Sequence, residues 1–158
     1  MRTLSVMRVA IGSDHAGFAL KNDLCTLLDD LRVEFRDFGT FGPEPVDYPD
    51  VIAPVARAVR DGDFELGIVL GGSGTGEAIV ANKVRGIRCV EAADPVTARL
   101  GREHNDANVL SMGARIVGSE VARACVRAFL DGQYQGGRHV ARIEKLHHIE
   151  AEEANRQA

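Results

Sequence analysis

One pattern recurs along the 158 residues: a short apolar run, a glycine-containing loop, then an amphipathic stretch. Met7–Gly12 (MRVAIG) reads as a buried strand. Residues 16–32 then set Phe18, Leu20, Leu24, Leu27, Leu28 and Leu31 largely on one helical face. Val33–Phe38 alternates like a second strand, and FGTFGPEPVDYPD is a long loop rich in Gly and Pro. Further strands are expected at Leu66–Leu70, Ile87–Ala93 and Asn108–Met112. Helices are expected over 50–60, 76–84, from Pro95 to about Glu103, and over Ser119–Leu130. Residues 139–156 form a charged helical tail that either packs on a partner or frays. Strands alternating with helices predict a parallel sheet covered on both faces, a Rossmann-like three-layer α/β/α sandwich. Ligands in such sheets bind at the carboxyl ends of the strands. Here those ends are the loops 13–17, 39–49, 71–76, 93–94 and 113–118.

The length suits one domain over residues 1–158. A net charge of −4 argues against nucleic acid as a partner, while leaving room for a local basic pocket. Cys25, Cys89 and Cys125 are odd in number and form no C-x-x-C pair. They fit reduced cytosolic thiols better than a zinc cage or a disulfide framework. The N-terminus lacks the apolar stretch of a signal peptide, and no run approaches the roughly 18 apolar residues of a membrane helix. The expectation is a cytoplasmic protein with no membrane partner.

The segment GIVLGGSGTGEAIVANK, residues 67–83, feeds an apolar strand into a glycine loop and a helix. The dinucleotide fingerprint G-x-G-x-x-G fails, because Glu77 and Ile79 stand where glycine is required. The P-loop pattern fits from Gly71 to Gly76, then meets Glu77-Ala78 instead of Lys-Ser or Lys-Thr. A carboxylate there repels a polyphosphate, which argues against ATP or GTP. What remains is a nest of backbone N–H groups at a helix start, suited to an anion or a transient oxyanion. Glu77 is then either the base that takes a proton beside that nest or an acid favouring the helix dipole.

Other strand-end residues carry two readings each. Asp14 and His15 in SDHAG are site residues, or an N-cap with a solvated histidine. His104 and Asn105 in REHNDAN exchange protons with a sugar hydroxyl, or serve a helix terminus. Arg115 follows the fifth strand. Arg138 and Arg142, four apart in GGRHVAR, are expected on one helix face, as a phosphate clamp or a solvated basic face. His147 and His148 receive no role. Together these parts suit a small phosphorylated sugar whose carbonyl moves between neighbouring carbons.

Five motifs occur in order: GSDHAGFALK, DYPD at 47–50, GGSGTGEAIVANK, REHNDANVLSMGAR and GGRHVARIEKL. Over residues 7–150 they resemble ribose-5-phosphate isomerase of the B type, whose superfamily includes galactose-6-phosphate and allose-6-phosphate isomerases. The resemblance implies a five-stranded parallel sheet. It implies a homodimer, sometimes paired into tetramers, with active sites between subunits. It implies aldose–ketose isomerisation through a cis-enediol, without metal or cofactor. Part of the family uses a cysteine base at the position of Gly71; another part uses a glutamate after the glycine loop, which Glu77 matches.

The same resemblance assigns the remaining roles. Ser73 and the N–H groups of Gly72, Gly74, Thr75 and Gly76 hold the enediolate oxygens. Asp14 and His104 open the furanose ring. His15, Arg138 and Arg142 grip the phosphate, with Arg115 nearby. Asn105 orients the sugar, and Asp47 and Tyr48 lie on a loop near it. The substrate expected first is ribose 5-phosphate. Allose 6-phosphate, galactose 6-phosphate or a tetrose phosphate is the alternative, and a non-catalytic sugar-phosphate-binding subunit stands behind those.

Overall fold

The strands with the longest apolar runs take the middle of the sheet, because only there are both faces covered. In the computed structural model, which describes residues 6–156, these are β1 (Arg8–Ser13), β3 (Leu66–Gly71) and β5 (Val109–Gly113). β2 (Glu34–Asp37) and β4 (Cys89–Glu91) form the edges, giving the all-parallel order β2-β1-β3-β5-β4. Every residue of β3 is buried, whereas β2 alternates between exposed and half-buried.

Side chains along the central strands point alternately into two cores. Val9, Ile11, Ile68, Leu70, Leu110 and Met112 face α1 (Phe18–Asp30), α4 (Pro95–Asn105) and α5 (Ser119–Asp131). Ala10, Val69 and Val109 face α2 (Tyr48–Arg60) and α3 (Thr75–Lys83). The three-layer α/β/α sandwich expected from the alternation is therefore the fold. After a 3-10 turn at Gly137–His139 comes the last helix, α6 (Val140–Arg156), of which only Ile143 is buried. Among the described residues no helix is long and apolar enough to cross a membrane.

Element boundaries differ from expectation in three informative places. α2 starts at Tyr48, because Asp47 is extended and Pro49 suits a first turn. β4 is only three residues long, since it pairs on one side alone, with β5. Arg138 and Arg142 do not share one helix. Gly136 and Gly137 have φ of +61° and +56°, which delays the helix to Val140 and leaves Arg138 in the 3-10 turn.

The topology sets the site. The chain leaves β1 towards β2 on one side and returns to β3 on the other, so the crevice opens between the carboxyl ends of β1 and β3. Asp14 N–H donates to the Leu70 carbonyl at 3.2 Å and ties the two ends together. Gly17, at the start of α1, lies against the same carbonyl; a Cβ there would come within 2.9 Å of Leu70. Its N–H donates to Asp14 Oδ1 at 3.1 Å. Gly17→Ala is expected to lose about 1–3 kcal/mol in urea denaturation through overpacking at this junction. An unchanged midpoint would mean that α1 slides off β3 without cost.

Candidate active site

The glycine loop after β3 is built by close backbone packing. Gly74 has φ +85°, and a Cβ there would meet the Met112 backbone at 2.7 Å. Its carbonyl accepts the Ser111 hydroxyl at 2.6 Å and the Ala78 N–H at 3.0 Å. The carbonyls of Gly71 and Gly72 accept the N–H groups of Ala114 and Arg115. Ser73 Oγ accepts the Thr75 N–H at 3.2 Å, leaving its hydroxyl proton free to donate elsewhere. Thr75 Oγ1 donates to Glu91 at 2.9 Å.

Glu77 is the third residue of α3 and is only 3% exposed. Its carboxylate lies by the N–H groups of Gly74 and of Glu77 itself, which favour its charged form. It fills the space beside Gly71: a Cβ on Gly71 would coincide with the carboxylate. Burial pushes its pKa up, Asp14 and Glu91 add to that, and the two N–H groups oppose it. Burial wins that contest, which the sequence left open.

Around Glu77 lies a cavity of about 250 Å³ lined by Asp14, His15, Tyr48, Gly72, Ser73, Gly76 and Arg115. Asp14 is 8% exposed, while His15 and Arg115 are exposed. Val46 N–H meets His15 Nδ1 at 3.2 Å. A backbone N–H only donates, so Nδ1 accepts and the neutral ring carries its proton on Nε2. The Tyr48 ring rests on Gly76, where a Cβ would lie 2.9 Å from Cζ. Asp47 precedes Tyr48 at the start of α2 and is exposed. Asp47, Gly74 and Thr75 adjoin this cavity without lining it.

His104, Asn105, Arg138 and Arg142 stand elsewhere. α4 leaves the carboxyl end of β4 and its eleven residues cover about 16 Å. His104 therefore sits towards the opposite, amino-terminal end of the strands. Its ring stacks on His139, with centroids 4.5 Å apart and planes at 14°. Burial, then His104, Arg138 and Arg142, hold the His139 pKa down. These four side chains make one basic cluster, centred on a histidine to which the sequence reading assigned nothing. Its signal was present, between the two arginines of GGRHVAR. Asn105 is exposed, lines a separate cavity of about 310 Å³ with His147, and accepts Arg88 Nε on its carbonyl at 2.9 Å. Burial raises all three thiols, Cys25 and Cys125 to about 11, so none is a ready thiolate.

Residues 9–146 match the family model described as Ribose/Galactose Isomerase. The chain belongs to this isomerase family. It is 46% identical over 143 residues to ribose-5-phosphate isomerase B of Escherichia coli, covering 90% of this chain and 96% of that one. It is 37% identical to D-erythrulose-4-phosphate isomerase of Pectobacterium atrosepticum, covering 94% of this chain and 98% of the other. The solved ribose-5-phosphate isomerase B of Clostridium thermocellum superposes with a TM-score of 0.91 at 46% identity, over 92% of this chain and 99% of that one.

Two outcomes are expected at this isomerase-family site. A carboxylate whose folded-state pKa is raised costs stability once pH passes its unfolded value, and the deficit persists above its folded value. Glu77→Gln is therefore more stable than wild type at pH 7, with the gap closing as pH falls below the ordinary carboxylate range. Thermal melts across pH 4–8 check this. Gly71→Ala displaces the carboxylate from its pocket, so the Glu77 pKa falls back towards its ordinary value in an NMR titration. A Glu77 that titrates unchanged in Gly71→Ala would show that the two groups do not compete.

Proposed function

We propose that the chain interconverts ribose 5-phosphate and ribulose 5-phosphate, with Glu77 as the base. The observation that carries this reading is a buried carboxylate of raised pKa beside the glycine loop, in a cavity lined by Asp14, His15, Ser73 and Arg115. Glu77 takes the C2 proton of the open-chain aldose. The electron pair moves into a C1=C2 bond, and O1 becomes an oxyanion. Ser73 and the N–H groups of the 72–76 loop stabilise that charge as it forms. Glu77 then returns the proton to C1 while the O2 hydroxyl proton passes to O1, so that C2 becomes the ketone and C1 carries the hydroxyl. A carboxylate with a raised pKa suits both halves of this exchange.

Within this proposal the phosphate goes to the basic cluster, which a second copy of the chain brings to the cavity. The partner subunit's Arg138 and the partner subunit's Arg142 hold it, with His15 and Arg115. Ring opening uses Asp14 and the partner subunit's His104, one removing the C1 hydroxyl proton and the other protonating the ring oxygen. The partner subunit's Asn105 orients the sugar, while Asp47 and Tyr48 border it. What supports a shared site is the separation of the two clusters across the sheet within one chain. Three free cysteines suit a cytoplasmic home for this homodimer or tetramer. A second reading, another phosphorylated sugar such as a tetrose phosphate, rests on the relative named D-erythrulose-4-phosphate isomerase.

The test follows ketose formation from ribose 5-phosphate, with allose 6-phosphate in parallel and no added metal. Glu77→Gln is expected to lose about 10²–10⁴-fold in kcat with substrate affinity retained. Mixing Glu77→Gln with Arg142→Ala subunits restores up to about a quarter of wild-type activity if sites are shared across a two-fold interface. Full activity in Glu77→Gln would remove the proposed base. No recovery on mixing would place each site within one chain.

A further inference from the structure

Lys21, in α1, has no exposed surface. Its ammonium lies 2.5 Å from Asp37 Oδ2, and the rings of Phe18 and Phe41 stand 5.5 Å and 5.1 Å from it. A buried ammonium persists only where opposite charge and aromatic faces replace its water. The proton transfers above use neither member of this pair, so its position needs another reason.

The pair sits where the long 38–47 loop leaves the sheet. Asp37 Oδ1 accepts the Gly39 N–H at 2.8 Å. The Gly39 carbonyl accepts the Ser13 N–H at 2.7 Å, and Thr40 N–H donates to the Ser13 carbonyl at 2.7 Å. The Phe41 ring lies against Gly39, where a Cβ would be 3.1 Å away. From this anchor the loop runs to Val46, whose N–H fixes the His15 ring, and to Tyr48, whose ring covers Gly76. One end of the loop is thus pinned by a buried charge, and the other end touches two side chains of the cavity.

We propose that Lys21 is a positioning residue. Clamped on Asp37, it holds the 38–47 loop so that Val46 keeps His15 in one tautomer, with Nε2–H presented to the substrate's anionic group. It acts on ground-state binding and not on proton transfer, because the loop touches His15 and Tyr48 while Glu77 is held by its own helix start. The proposal rests on the isomerase reading for the identity of the substrate alone.

The experiment compares wild type, Lys21→Met and Asp37→Asn, which keep side-chain length and the acceptor for Gly39 respectively. Three readouts are taken: His15 ring ¹⁵N shifts, kcat and KM for ribose 5-phosphate, and thermal midpoint. In either variant the His15 signals are expected to move towards a mixture of tautomers. KM rises about tenfold while kcat changes by less than about threefold. A variant that folds with His15 shifts and KM unchanged overturns the proposal, however far its midpoint falls, because the pair would then serve only the core. Should both unfold, Phe41→Leu decides by the same readouts, since Phe41 is exposed and its ring stands over the ammonium. If wild type leaves ribose 5-phosphate unchanged, the isomerase reading fails by itself. The His15 shifts and the affinity for inorganic phosphate then still decide the role of Lys21.

Discussion

The carboxyl edge of this sheet is organised by a buried carboxylate standing where the central strand ends without a side chain. Glu77 occupies the volume that any Cβ on Gly71 would claim. That exchange constrains its neighbours. The loop between them must pass close to β5, hence the left-handed Gly74 and its carbonyl clamped by Ser111. The helix must begin at Thr75 so that its third residue faces back into the crevice. Burial raises the proton affinity of the acid, and the first N–H groups of α3 keep it from rising without limit. Cap, loop and acid are one device, and none of its parts is tuned separately.

The fold supplies the place for that device. The reversal of strand order between β1 and β3 opens a crevice at one edge of the sheet only. Asp14 directly follows β1 and Glu77 stands in the first turn of α3, so the two acids line one cavity although 63 positions separate them in sequence. α4 then carries His104 away from this edge, to a turn that also holds His139 and Arg138. One chain thus presents an acidic pole and a basic pole towards opposite ends of its strands.

Most of this was legible in the residues. Apolar runs and glycine loops gave the sheet, while the failure of both nucleotide fingerprints at Glu77 argued against a nucleotide and left the acid with two readings, a base or a helix-start acid. Less legible were features that depend on distant partners. β4 is short because of what lies beside it, which no local pattern states. Arg138 leaves the helix because two glycines precede it in left-handed conformations, and the i, i+4 spacing hid this. His139 drew no reading at all, because its stacking partner His104 lies 35 positions away on another helix. Nothing near Lys21 announces that a lysine will be wholly buried, because its partner Asp37 lies 16 residues away on another element.

The separation of charge also bears on substrate direction. Near Glu77 stand two more carboxylates, Asp14 and Glu91, each of which disfavours a further negative charge there. A dianionic phosphate is repelled from that end and drawn to arginines. In the proposed shared site, a sugar phosphate between an acidic and a basic pole is oriented before any specific contact forms, its phosphate towards the arginines and its reactive carbons towards the carboxylates. Arg115 lines the cavity on its exposed side, so even the acidic half carries a positive rim. The burial of Glu77 and the arginines of a second chain belong, in that proposed site, to one electrostatic arrangement. A carboxylate that burial makes a reluctant anion is spared further negative charge when the substrate's phosphate is held at the far end.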